Sequence, residues 1–152
     1  MNRLRLLSFA AILLFYACNN STDSDRSTIP NDAFRYFRAF VDNGQQRDYF
    51  IIRTQNANVL RMLDSLLAVP ADQRNLHING TIARGNDGYN YTWNWHFVDH
   101  QWALTEISIE LCDAMPSYVE ANLDYFIDEL DGNFCPWGTE FDREMRPGEE
   151  IQ

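Results

Sequence analysis

No lysine occurs anywhere in this chain of 152 residues; all twelve basic side chains are arginine, set against 22 Asp and Glu. The formal net charge is −10. A body this acidic is repelled by nucleic acid and by anionic membrane surfaces, which are therefore poor partners for it. An acidic excess without lysine fits proteins of saline habitats, and the base composition of the genome explains the missing lysine equally well. Long apolar runs are absent too. The one apolar stretch, Leu6 to Tyr16, is roughly half of the ~20 residues a membrane-spanning helix needs. Nucleophile elbows, phosphate-binding loops, HExxH and EF-hand patterns are all missing, as are internal repeats. The length leaves room for one domain, and 45% hydrophobic with 14% aromatic residues is a globular composition.

The amino terminus has three parts. Arg3 and Arg5 are a positive lead, Leu6 to Tyr16 an apolar core, and Ala17-Cys18 a small-residue cleavage point followed at once by cysteine. This resembles a bacterial lipoprotein signal peptide with Phe15-Tyr16-Ala17-Cys18 as its lipobox, Phe15 standing where an aliphatic residue is usual. The resemblance implies a leader over residues 1–18 that ends at a lipidated Cys18. Buried acyl chains contribute ~0.8 kcal/mol per CH2, so such an anchor would be effectively permanent. Loss of Arg3 and Arg5 would take the net charge from −10 to −12. Residues 19–31 are polar and aperiodic and read as a disordered tether. Asn19 after the cysteine implies, by the same resemblance, passage to the outer membrane, and Asp23 and Asp25 suggest exposure at the cell surface.

Cysteine is scarce, and its arithmetic is informative. With Cys18 assigned to lipid, Cys112 and Cys135 remain as an even pair in a chain expected to leave the cytoplasm. The 22 intervening residues (135 − 112 − 1) hold no CxxC partner for a zinc site. A disulfide is the better reading.

Periodicity gives the body of the domain. Residues 32–47 are expected to contain a short helix with Phe34, Phe37, Phe40 and Val41 on one side. Asp48 to Thr54 reads as a first strand. Asn56 then caps a helix bearing Val59, Leu60, Leu63, Leu66 and Leu67. Leu76 to Arg84 is a second strand. Met115 to Leu130 is a second helix with Pro116 in its first turn and Val119, Leu123, Phe126 and Leu130 inward. Glu140 to Met145 is a last strand, and residues 147–152 a frayed tail. The expected fold of residues 48–146 is α+β: an antiparallel sheet of about five strands with two main helices packed on one face.

The centre of that sheet is Gly80 to Asp113, read as three consecutive strands broken at Gly85-Asn86-Asp87-Gly88 and near Asp99-His100. With a turn at His100 and Val98 opposite Trp102, alternation places Trp93, Trp95 and Phe97 on one face with Ala103, Ile107, Ile109 and Leu111. The other face collects Asn90, Thr92, Asn94 and His96 with Glu106, Ser108, Glu110 and Cys112. Asn94, His96, Glu106 and Glu110 are thus the candidate ligand-binding residues. One imidazole and two carboxylates, His96, Glu106 and Glu110, would suit a divalent metal such as Zn2+ or Mn2+. The same trio would serve as acid and base, and the bland alternative is a solvated sheet face. His77 reads as a surface strand residue, and His100 shares no face with a second ligand. Tyr89, Tyr91 and Trp102 are the aromatics expected to be exposed, where they could stack on sugars.

A family pattern lies over the same span. Gly80-Thr81-Ile82, Arg84, Tyr89-Asn90, Trp93, Trp95-His96, Glu106, Ile109-Glu110-Leu111-Cys112-Asp113-Ala114, Pro116-Ser117-Tyr118-Val119-Glu120, Leu123-Asp124 and Cys135-Pro136-Trp137 resemble the N-terminal domain of the BP-type calmodulin-binding protein family, here in a stand-alone bacterial form. Val98-Asp99-His100 replaces an Asp-Pro-Asp type of turn. The resemblance implies no agreed activity. Calmodulin itself is an unsuitable partner, because it takes basic amphipathic helices and this domain is acidic. Two functions stay open: a lipid-anchored, non-enzymatic binding domain for a protein, glycan or other ligand, and a small metal-dependent or acid–base enzyme centred on His96.

Overall fold

The computed structural model describes residues 28–108 and 110–151. The expected leader, the expected lipidation site Cys18 and most of the expected tether lie outside the described residues. In chain order the elements are β1 (Arg35–Asp42), β2 (Arg47–Thr54), α1 (Ala57–Leu67), β3 (His77–Arg84), β4 (Trp95–Thr105), α2 (Pro116–Ala121), β5 (Asn133–Phe134) and β6 (Thr139–Met145). A wide π-type turn over Tyr125–Glu129 prolongs the α2 region. The class is mixed helix and strand, as expected. The strands form two antiparallel three-stranded sheets, β2-β1-β6 and β4-β3-β5, in place of a single sheet of about five.

The expected helix in residues 32–47 is instead β1, the central strand of the first sheet. Phe37, Phe40 and Val41 do bury, but so do Tyr36 before them and Ala39 between them. A strand covered on both faces reads as a continuous apolar run, and here its aromatics fall by chance at helical spacing. Helix α1 agrees with expectation: the Asn56 side chain accepts from the backbone N–H of Asn58 (2.9 Å) and Val59 (3.3 Å). Pro116 opens α2, whose cap comes from afar, because buried Asp48 accepts from Ser117 N at 2.9 Å.

The main core lies between the sheets. Phe37, Phe50 and Ile52 from one meet Ile78, Ile82, Trp95 and Phe97 from the other, closed by Leu63, Val119, Phe126 and Phe134. A smaller core on the far side of the first sheet holds Ile29, Tyr36, Ile51, Tyr89 and Met145. Ile29 belongs to the expected tether and is nonetheless buried, its N–H donating to Glu149 O (2.9 Å) while Gly148 N donates back to Ile29 O (2.8 Å). Residues 28–29 and 148–150 therefore clasp each other, and the tail through Glu150 is paired to Thr28 where fraying was expected. Apolar Ile29 supplies the burial that a wholly polar tether lacks.

The expected hairpin at His100 does not form. Residues 95–105 make one strand, paired with β3 from Arg84↔Trp95 to His77↔Thr105. Between Ile82↔Phe97 and Gly80↔Trp102 the pairing shifts, and Val98 to Gln101 bulge outward with His100 at φ 63°. Trp102 and Leu104 are then buried, and Ala103, Ile107 and Leu111 are exposed. That reverses the faces drawn for the second strand of the hairpin, as a one-residue slip must, while Trp95 and Phe97 of the first are buried as expected. Gly80 marks the spot, because a Cβ there would collide with Trp102 Cβ.

The bulge has a task. It carries Asp99 to Arg53 on β2, whose Nη2 donates to Asp99 Oδ2 (2.7 Å) and to Asp87 Oδ2 (2.6 Å). The guanidinium lies over the rings of Phe34 (4.5 Å) and Tyr89 (4.7 Å). Burial works against its charge, and the Asp99 carboxylate more than offsets this, so its pKa is raised. Arg53 thereby ties one sheet to the other.

Candidate functional site

The four residues expected to share a face are dispersed. Asn94 precedes β4 and is occupied with Glu120, donating from backbone N (2.8 Å) and Nδ2 (2.5 Å). His96 Nδ1 is 2.7 Å from Gly85 O, and its Nε2 is 3.8 Å from Asp87. Glu106 lies past the other end of β4, where it accepts from Asn75 Nδ2 at 2.8 Å. Six residues of β3 (83 − 77) separate the partners of His96 and Thr105, about 20 Å at the usual strand rise. Glu110 sits exposed in a short 3-10 turn, Glu110–Cys112. The trio His96, Glu106 and Glu110 therefore does not converge, and its hypothetical metal would find one ligand at each end of a strand. Among the described residues no group of three or more His, Cys, Asp or Glu side chains is arranged to hold a metal ion. The physical reason is the continuous β4: without the hairpin, residues ten apart are carried away from each other.

The sugar-stacking trio is dissolved in the same way. Tyr89 and Trp102 are buried, and Tyr91 alone is exposed. Asn90, placed on the polar face, is buried between two strands, accepting from Ile51 N and donating to Trp95 O, each at 2.9 Å.

A different cluster forms where β4 leaves the sheet. Residues 106–108 and 110–113, expected to continue a strand, lie outside β4, with a 3-10 turn at Glu110–Cys112, and the Cys112–Cys135 disulfide ties this loop to the segment after β5 with Cα atoms 5.2 Å apart. The even pair of cysteines is thus joined as expected. Cys135 N also donates to Cys112 O (2.9 Å), and Trp137 N to Asp113 Oδ1 (2.9 Å). A loop so held can present apolar side chains without burying them. Ile107 is 82% exposed and Leu111 68% exposed.

Two recesses open beside the loop. The larger, about 540 Å³, is lined by Asn79, Ile107, Ser108, Leu111 and Leu130 with Glu129 and Asp131 at its acidic side. The smaller, about 320 Å³, is lined by His77, Glu106, Ser108 and Trp137. Ser108 borders both. Its Oγ is 2.6 Å from His77 Nε2 and accepts from Asn79 Nδ2 at 3.2 Å. His77 is 7% exposed, against the expectation of a surface residue. Burial pushes its pKa below the ordinary imidazole value, with the Asp113 carboxylate opposing in part. The imidazole is accordingly neutral at pH 7.

Sequence reasoning missed this cluster because it placed Ser108 in a strand. One signal was available: His77 and Asn79 are two apart in β3 and so point to the same side.

Neither a curated protein nor a solved structure matches this chain. A family model does, that of the BP-74 N-terminal domain, over residues 34–148. The match takes in β1 through β6, the disulfide and both recesses, and on that extent the chain belongs to the BP-74 N-terminal domain family.

Proposed function

We propose that this is a small binding domain, carried on the outer membrane by a lipidated Cys18, whose ligand is an uncharged, largely apolar small molecule taken into the recess beside Ile107 and Leu111. The observation that carries the reading is the pairing of a ~540 Å³ recess with two aliphatic side chains left in solvent on a disulfide-pinned loop. That volume lies within the usual range of small-molecule sites, about 300–1,000 Å³. Glu129 and Asp131 on the recess, in a chain of net charge −10, disfavour anionic ligands. The tripartite leader supports the anchor. Nine residues lie between Cys18 and Thr28 (28 − 18 − 1), a reach of at most about 35 Å, so the domain would work close to the bilayer from which apolar molecules partition.

Titration of the mature protein with the neutral fluorophore N-phenyl-1-naphthylamine tests the binding. Saturable binding that is lost in Leu111→Asp is expected, and no saturable binding to the wild type would overturn the reading. Intact mass of membrane-extracted protein tests the anchor: a chain beginning at an acylated Cys18 is expected, and retention of Met1 would refute it.

A further inference from the structure

The polar atoms between the two recesses are arranged for more than solvation. His77 is buried, and its Nε2 points at a hydroxyl 2.6 Å away. In the tautomer that carries its proton on Nδ1, Nε2 is free to accept the Ser108 proton. A hydrogen bond of this kind also satisfies a buried histidine, and many do no more. What distinguishes this one is position. Ser108 borders both recesses, so a carbonyl carbon can reach Oγ from the open side while the groups on either side of it occupy separate hollows. Asn79 Nδ2, 3.2 Å from Oγ, is a donor within reach of an oxygen bonded to the attacked carbon. Asp113 stands near enough to His77 to favour its protonated form, and is itself held by Trp137 N. Glu106 is the carboxylate that borders the His77 recess.

We propose that Ser108, His77 and Asn79 form an acyl-transfer site for neutral esters, with the acyl chain in the recess of Ile107, Leu111 and Leu130 and the alcohol portion beside Trp137. The proposal rests on the reading of the larger recess as a site for apolar ligands and adds a chemical class to it. Ser108 Oγ attacks the ester carbonyl carbon as His77 Nε2 takes the hydroxyl proton, and the carbonyl electron pair moves onto oxygen facing Asn79. Collapse of the tetrahedral intermediate breaks the bond to the alkoxy oxygen, which leaves as the alcohol with the proton from His77. Water then adds to the acyl-Ser108 carbonyl, giving His77 its proton. Oγ departs and recovers that proton, and the carboxylic acid is released. The sum is ester plus water to alcohol plus acid. Activated serine with an adjacent base is the required geometry, and Asp113 balances the imidazolium formed at each stage.

The test uses the mature protein with p-nitrophenyl butyrate as substrate and an uncharged alkyl fluorophosphonate as trap. Expected are hydrolysis above buffer, a single phosphonyl adduct mapped to Ser108, and a rate that falls with protonation of one group below the ordinary imidazole pKa. Ser108→Ala should abolish both adduct and hydrolysis. Asn79→Ala should lower the rate about 100-fold with the adduct site unchanged. Adduct mapping on the wild type needs no variant to fold. Dye binding without any adduct on Ser108, or hydrolysis unchanged in Ser108→Ala, would overturn acyl transfer and leave the binding site standing. Absence of both dye binding and adduct would overturn the two together.

Discussion

Replacing Arg53 with alanine should be among the most costly single changes in this domain. Its side chain is 15% exposed, and its partner Asp99 27% exposed. The substitution removes two charge-assisted contacts and strands a partly buried carboxylate, a loss of about 1–3 kcal/mol. It also removes the stacking on Phe34 and Tyr89, each such contact being worth about 0.5–1 kcal/mol. Because the contacts share one guanidinium they do not simply add, and a total of about 2–4 kcal/mol is expected. At roughly 4 °C per kcal/mol for a domain of this size, Tm should fall by about 8–16 °C. Arg53→Lys keeps the charge and loses the forked geometry, so it should recover only part of the loss. Arg47→Ala is the control: it stacks on one ring, Phe40 (4.4 Å), but its pair with Asp42 is open to solvent, so it should cost clearly less than Arg53→Ala. The assay is thermal and urea unfolding of the three variants with an Arg53→Ala/Asp99→Asn double-mutant cycle. A loss at Arg53 no larger than at Arg47, or a coupling to Asp99 near zero, would refute the claim that the bulge exists to tie the sheets together.

Three further outcomes follow from single contacts. Gly80→Ala should prevent folding or cost more than about 3 kcal/mol, because the new Cβ would collide with Trp102 Cβ and Gln101 O; soluble yield and urea midpoint check it. Removing the Cys112–Cys135 link by a double change to alanine should cost about 3 kcal/mol for a separation of 23 residues, and N-phenyl-1-naphthylamine binding should weaken as the loop is released. Protonation of His77 gives a pH dependence with a definite sign. Its folded pKa lies below the ordinary 6.5, so between the two values the unfolded chain binds a proton that the folded chain does not. Stability should decline as pH falls below about 6.5 and level off once the folded form also protonates. The urea midpoint between pH 7.5 and 5.5 should show this slope, and His77→Gln should flatten it.

Legibility in the sequence followed the local signal. Helix α1 carried its own cap and a full helical stripe, and β2, β3 and β6 were bounded by turns, so each was read within a residue or two. β1 was misread because both of its faces are covered, which erases the alternation that distinguishes a strand. The β4 region was misread for the opposite reason. Val98-Asp99-His100 has the composition of a turn, and only contact with Arg53, 46 residues away along the chain, shows that it is a bulge inside a single strand. The candidate site inherited that error: His96, Glu106 and Glu110 were brought together by a hairpin that the tertiary structure does not contain.

Ending β4 at Thr105 has a consequence for where chemistry can occur. A strand continued through Leu111 would alternate, burying every second residue against the neighbouring layer and leaving no concavity. Thr105 Oγ1 bonding to Ile107 N (3.2 Å) and O (2.9 Å) turns the chain out of the sheet. The disulfide then returns it to the edge formed by β3 and β5. The gap between departing loop and sheet edge is the recess, and its floor comes from β3, whose His77 and Asn79 point toward the loop. Ser108 reaches both because it lies midway between the Thr105 turn and Cys112. The apolar exposure of Ile107 and Leu111, the burial of His77 and the placement of Ser108 therefore share one cause, a strand that stops early and is tethered where it would otherwise swing free.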